Sequence, residues 1–280
     1  MPERFASWLA RDVLQATGPE AATFLQGQLS QDVLALVDGG WAWSWVLAPT
    51  GKVDALVRVI RLSEQDWVLD TDQGWGEPLL ARLNRFKLRT KVTLEPLPWR
   101  VLGLRFTGGE VPTRPAGTVE VVSSWPGLEG VDRLGESPGL PDGWPVRSAE
   151  GYETARIMAG FPRMGSELTD KTIPAETGLN DLTVSFTKGC YTGQELVARI
   201  DSRGGNVPRH LRRLFATDPL SVGAQLTGED GKEVGTITSV AQAPDGGWIG
   251  LGYLRRGVDP QTTVRSRPSG SEVEIRDQAV

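Results

Sequence analysis

One cysteine, Cys190, serves a chain of 280 residues, and it lies in the stretch VSFTKGCYTGQELVARIDSRGG from Val184 to Gly205. Lys188 precedes it by two positions, and Gly193, Gln194 and Glu195 follow. The thiolate is the nucleophilic form of cysteine, and cations and helix N-termini favour it. Leu196, Val197 and Ile200 recur at helical spacing, so a helix is predicted just past the cysteine. Glu195 and Arg199 would pair on its surface at i,i+4. Leu182, Val184 and Phe186 alternate with Thr183, Ser185 and Thr187, which predicts a half-buried strand before it. Cys190 is therefore expected in a strand-to-helix turn, where unpaired N–H groups and Lys188 favour an anion. Gly189 and Gly193 would let a ligand or another chain approach the backbone. The competing reading is a small buried hydrophobe, the usual fate of a free cysteine; the Lys, Gln and Glu around it are not core residues. No base lies nearby in sequence, and the single histidine, His210, falls in the basic run Arg209–Arg213.

Several elements must position this turn. Thr17-Gly-Pro-Glu20 has the pattern of a capping box, with a helix after it carrying Ala21, Phe24, Leu25 and Leu29. WAWSWVLA from Trp41 alternates as a strand does, Pro49–Lys52 is a turn, and Val53 to Leu62 is its partner strand. Trp41, Trp43 and Trp45 share one face, which reads as a buried face or as the lining of an aromatic ligand site. Trp67–Asp70 reads as a short strand, and Glu77 to Leu88 as a helix ringed by Arg82, Arg85, Lys87 and Arg89. Strand-like segments follow over 91–106 and 118–123. Residues 127–145 are rich in Gly and Pro and read as mostly loop. Within them Gly135-Glu-Ser-Pro-Gly139 imitates a hydrolase elbow by chance. A helix is expected over 150–159, ending at Gly160. Past Pro208, short strands divided by Asp230-Gly231 and Asp245-Gly246 predict a small β-barrel. The mixture gives an α+β class.

KGCYTGQE followed by ARxxxRG resembles the signature of the YgfZ family of folate-binding proteins, relatives of the aminomethyltransferase (T-protein) of glycine cleavage. GPEAATFLQGQLSQD, LAPTGKVDALVRV, RLNRFKLRTKV, RIMAGFPRMGSEL, IPAETGL, VGTITSV and LGYLRR continue the resemblance in collinear order over nearly the whole chain. The resemblance implies a T-protein-like fold over residues 1–205, of two interleaved modules, and a C-terminal barrel over 206–280. It also implies a tetrahydrofolate-binding factor that supports assembly or repair of iron–sulfur clusters in client enzymes, including a radical enzyme that methylthiolates tRNA. Cys190 and Lys188 would be its chemical centre, with Gly189, Tyr191, Gly193, Gln194, Glu195, Arg199 and Arg203 as the supporting motif. Arg85 and Arg89 are candidates for the carboxylates of a folate tail, and Trp43 for the ring. The alternative is a folate-dependent aminomethyltransferase or other one-carbon transferase. Against it, Met158 stands where T-proteins carry the glutamate that grips the pterin, and a thioether cannot take that part.

Composition narrows the partners. A net charge of -5 argues against broad nucleic-acid binding, which needs a basic face. One cysteine and one histidine exclude an internal disulfide and a multi-cysteine or His-cluster metal site held by this chain alone. The N-terminus lacks the apolar core of a secretory signal, and no apolar run has the length of a membrane span. The expectation is a cytoplasmic monomer, away from membranes and not a conventional enzyme.

Overall fold

The structure, a computed structural model, describes residues 4–125, 127–244, 246–260 and 262–278. Two strands lead, β1 (Arg4–Leu9) and β2 (Arg11–Thr17), neither with a clean alternation. Helix α1 (Ala21–Gln28) follows, then the hairpin β3 (Trp41–Leu47) and β4 (Val53–Ser63), β5 (Asp66–Asp72), helix α2 (Gly76–Lys87), β6 (Thr93–Leu97) and β7 (Arg100–Phe106). Strands β8 (Val119–Val122) and β9 (Glu129–Gly135) come next, then helices α3 (Ala149–Ala159), α4 (Asn180–Thr183) and α5 (Gln194–Asp201). The last six strands are β10 (Arg209–Ala216), β11 (Gln225–Thr227), β12 (Glu233–Gln242), β13 (Trp248–Arg255), β14 (Thr263–Arg267) and β15 (Glu272–Arg276).

Two compact units result: residues through Arg147 together with Asn180–Arg199, and Ser148–Leu179 together with the chain from Ile200 onward. In the first unit a five-stranded antiparallel sheet runs β3-β4-β5-β2-β6, and a four-stranded one runs β1-β7-β9-β8. Val13, Ile60 and Val68 of the first sheet meet Val101, Val121 and Leu134 of the second.

Charge is buried beside this apolar seam. Arg58 on β4 donates to Asp70 on β5 (2.6 and 2.9 Å) and to Asp132 on β9 (2.7 Å). Arg105 donates to the other oxygen of Asp132 (2.7 Å), and Arg11 pairs with Asp70 and Asp72. Arg58 is 1% exposed, so its charge survives burial only because two carboxylates face it. Trp43 lies against this chain of charges, its ring centre 5.6 Å from the Arg11 guanidinium and 5.4 Å from that of Arg58.

In the second unit β10-β13-β12-β11-β14-β15 close into a barrel. Its β11–β12 turn at Asp230-Gly231 is as expected, with Gly231 at φ 74° and a bond from Gly228 N–H to Lys232 O (3.0 Å); Asp245 lies outside the described residues. Ser148 caps α3, and Gly160 ends it in the left-handed conformation, φ 83°. The buried carboxylate of Glu167 accepts from Arg156 (3.2 Å), the Arg163 N–H (3.0 Å), Thr238 (2.8 Å) and Ser239 (2.6 Å), which ties α3 and its following loop to the barrel. Met158 packs against a cluster that includes Leu211, Ile249 and Leu251.

Three expectations are corrected. Residues 127–145 are mostly loop, but they contain an unforeseen inner strand, β9, whose charged Asp132 and Arg133 hide the apolar pattern because both are buried in ion pairs. A strand thus precedes Gly135-Glu-Ser-Pro-Gly139, yet no helix follows before Ala149, so it is no elbow. The capping box is absent: Thr17 belongs to β2, and the Glu20 carboxylate accepts from the backbone N–H of Lys91 (2.5 Å). Residues 182–186 form no strand. Helix α4 runs to Thr183, and the backbone then finds partners in Ser30: Ser30 Oγ donates to Thr183 O (2.6 Å), and Ser185 N–H donates to Ser30 O (3.0 Å).

Burial alone would raise the Asp132 carboxyl, but the Arg105 and Arg58 guanidiniums outweigh it and hold it at about 2. A folded value below the unfolded one stabilises the protein above pH ~4, and that gain is lost as pH falls towards 2. Denaturant unfolding between pH 5 and 2 should therefore show a loss of about 2 kcal/mol from this group. Asp132→Asn should be less stable at pH 7 and flatter over that window; an unchanged slope in the variant would remove Asp132 from the account.

Candidate functional site

Helix α1 ends at Gln28 and leaves backbone carbonyls without helical partners, as every helix end does. One side chain answers three carbonyls of this region. Lys188 Nζ donates to the carbonyls of Gln26 (2.7 Å), Leu29 (2.7 Å) and Gln31 (2.9 Å). Burial pushes its pKa down to about 8, with Asp32 pulling the other way. Three acceptors around one ammonium also favour the charged form, so Lys188 is a cation at neutral pH. Its Nζ lies 5.1 Å from the ring centre of Tyr191. Burial pushes the Tyr191 phenol up to about 12, so it stays protonated.

The residues after Lys188 are held as firmly. Thr192 N–H donates to Gly27 O (3.1 Å), and Tyr191 N–H to Gln194 Oε1 (3.1 Å). Gly193, at φ 83°, lies against the β3–β4 turn: a Cβ there would sit 2.5 Å from Ala48 O and 3.3 Å from Gly51 Cα. Gly51, at φ 79°, is the reciprocal case, with a Cβ 2.4 Å from that of Leu196. Only glycine allows both the conformation and the approach. Arg82 braces the hairpin from α2, donating to Leu47 O (2.8 Å), Asp54 (2.9 Å) and Gln28 (3.1 Å).

Cys190 stands on this frame and is exposed, so the buried-hydrophobe reading does not describe it. It lies four residues before α5. Gly189 is open, with nothing within 4 Å of a Cβ built there, whereas the space at Gly193 is filled by the chain itself. The frame thus brings Lys188, Cys190, Tyr191, Gly193 and Gln194 into one turn. Glu195 and Arg199 lie exposed on α5, and Arg203 follows that helix. Arg85 and Arg89 are exposed at the far end of α2, while Trp43 is half-buried between two arginines.

Two further polar groups were not singled out by their sequence. The indole N–H of Trp45, a fully buried residue of β3, and Oδ1 of Asn180, on α4, are buried without a hydrogen-bond partner among the described residues. The elements that carry them pack on each other. Strand alternation marks Trp45 only as buried, and nothing in the local pattern of Asn180 separates it from an ordinary helix-start residue. Among the described residues, no group of three or more His, Cys, Asp or Glu is placed to hold a metal ion, and no helix is long and apolar enough to cross a membrane.

The fold is that of aminomethyltransferases: the glycine cleavage system aminomethyltransferase T of Bartonella henselae superposes with TM-score 0.82 over 98% of this chain and 85% of that one, at 18% identity. No family model matches the chain. The tRNA-modifying protein YgfZ of Escherichia coli is 25% identical over 294 residues, covering 92% of this chain and 87% of its own. The iron-sulfur cluster assembly factor IBA57 homolog of Cryptococcus neoformans is 27% identical over 258 residues, covering 78% and 68%. By sequence the chain is thus similar to YgfZ and IBA57 proteins over most of its length, and by fold to an aminomethyltransferase.

Replacing Lys188 by Met keeps the stem and removes the charge, leaving three carbonyls without their donor. The loss should be about 2–3 kcal/mol, read from urea unfolding. Gly193→Ala should lose at least about 2 kcal/mol, because positive φ and a backbone clash act together. In the native wild-type protein a thiol reagent should titrate Cys190 without denaturant; a requirement for unfolding would contradict its exposure.

Proposed function

We propose that this protein is a folate-binding factor for the assembly or repair of iron–sulfur clusters, acting on enzymes of tRNA modification in the cytoplasm, with Cys190 as its reactive thiol. The observation that carries the reading is an exposed cysteine on a turn pinned by Lys188, Thr192 and Gly193. A structural cysteine needs neither exposure nor such support. The names of the YgfZ and IBA57 relatives support the iron–sulfur and tRNA context.

Folate fits the donor set of the first unit. A pterin carries hydrogen-bond donors and acceptors on one ring, and Trp45 Nε1 and Asn180 Oδ1 are a buried donor and a buried acceptor lacking partners. These two would hold the ring, and bound folate would supply one-carbon chemistry or serve as an effector. Lys188 contributes by position: its ammonium is engaged with backbone carbonyls, and it fixes the turn that presents the thiol. Tyr191 offers a protonated hydroxyl beside it.

Cys190→Ala should unfold at the same denaturant concentration as the wild type yet fail to restore methylthiolated tRNA in cells lacking the protein. Full restoration would sink the role of the thiol. Tetrahydrofolate should bind saturably, monitored by tryptophan fluorescence, and Asn180→Ala should weaken it about tenfold by removing one buried hydrogen bond. Equal affinity in that variant would move the folate site elsewhere.

A further inference from the structure

Helix α2 ends in a turn that its sequence does not suit. Thr90 N–H donates to Lys87 O (2.9 Å), closing Lys87-Leu88-Arg89-Thr90. Leu88 stands at φ 48° and ψ −116°, the first central position of a type II′ turn, where glycine is the fitting residue. Among the described residues it is the one non-glycine with positive φ. Its side chain is 88% exposed, so no packing rewards the strain.

Charge gathers on the same turn of an otherwise acidic protein. Arg85, Arg89 and Lys91 are exposed and Lys87 is half-buried, and none has a carboxylate partner among the described residues. Two acids that touch this region are committed: Asp54 to Arg82, and Glu20 to the Lys91 backbone N–H. Strain, exposed leucine and uncompensated cations thus coincide within seven residues.

We propose that this turn is a docking point for an acidic amphipathic segment of a partner protein, with Leu88 as the apolar anchor and Arg85, Arg89 and Lys91 as carboxylate contacts. A nucleic-acid backbone would use the cations and give the leucine nothing. A lipid surface needs far more apolar area than one leucine provides. A helix with leucines along one face and glutamates flanking them uses both features at once. The inference does not depend on the thiol or on folate.

The test separates stability from binding. The probe is a fluorescein-labelled 14-residue helical peptide with a leucine face flanked by glutamates, followed by anisotropy against the whole protein. A serine-for-leucine version of the peptide and a 14-nucleotide single-stranded RNA serve as comparisons. The wild type should bind the leucine peptide better than either comparison. Arg85→Ala with Arg89→Ala should weaken that binding, and added salt should weaken it further. Leu88→Gly should weaken it about tenfold through the lost apolar contact, while Tm holds or rises by about 2 °C because the strain is relieved. The proposal is overturned by any of three results: no binding of the leucine peptide, tighter binding of the RNA, or a Leu88→Gly variant that binds as the wild type does. The last would leave a bare anion site, such as one for a polyglutamate tail. A Tm lowered in Leu88→Gly would make the leucine a structural residue and overturn it as well.

Discussion

Three carbonyls converging on one ammonium set the geometry of the cysteine turn. The acceptors belong to Gln26, Leu29 and Gln31, more than 150 positions before Lys188. A helix end and a late loop, each left with unmet hydrogen-bonding groups, complete one another. A donor with a single proton could not close this arrangement, and a guanidinium, planar and forked, would not fit three acceptors around one point. Everything that presents Cys190 follows: Tyr191 against the ammonium, Thr192 on Gly27, and Gly193 against the hairpin.

The hairpin in turn needs the sheets beneath it, and these are joined by charge as well as by apolar contact. Arg58 is shared between Asp70 and Asp132, one carboxylate from each sheet. Such a chain contributes little net stability when intact, since desolvation offsets attraction, but it penalises any register in which one partner is missing. It therefore acts on specificity: a two-residue slip of β9 would leave Arg105 buried without its carboxylate and Arg58 with Asp70 alone.

The legible parts of the sequence were those whose signal is local. The β3–β4 hairpin, α2, α3, α5 and the barrel all announce themselves through period and turn residues. What was hidden depended on partners far away in the chain. Strand β9 reads as loop because Asp132 and Arg133 break its apolar run, and only the arginines of β4 and β7 and Glu120 on β8 make that burial possible. Residues 182–186 alternate like a strand, yet Ser30 claims their backbone. The position of Lys188 beside the cysteine was plain, but its three acceptors were not. Leu88 misled in the other direction: it extends the helical pattern of α2 and then departs from it into a conformation its side chain disfavours.

The contact between Gly51 and Gly193 has a consequence for inheritance. These two positions, 142 apart in number, occupy a single volume, and neither side has room for a methyl group. A lineage that enlarges one must retract the backbone at the other, and in doing so it displaces the thiol. The proline-threonine-glycine-lysine turn and the cysteine motif are thus two halves of one heritable character. Drift in the hairpin is therefore constrained by the turn that carries Cys190, through backbone contact rather than through any hairpin side chain.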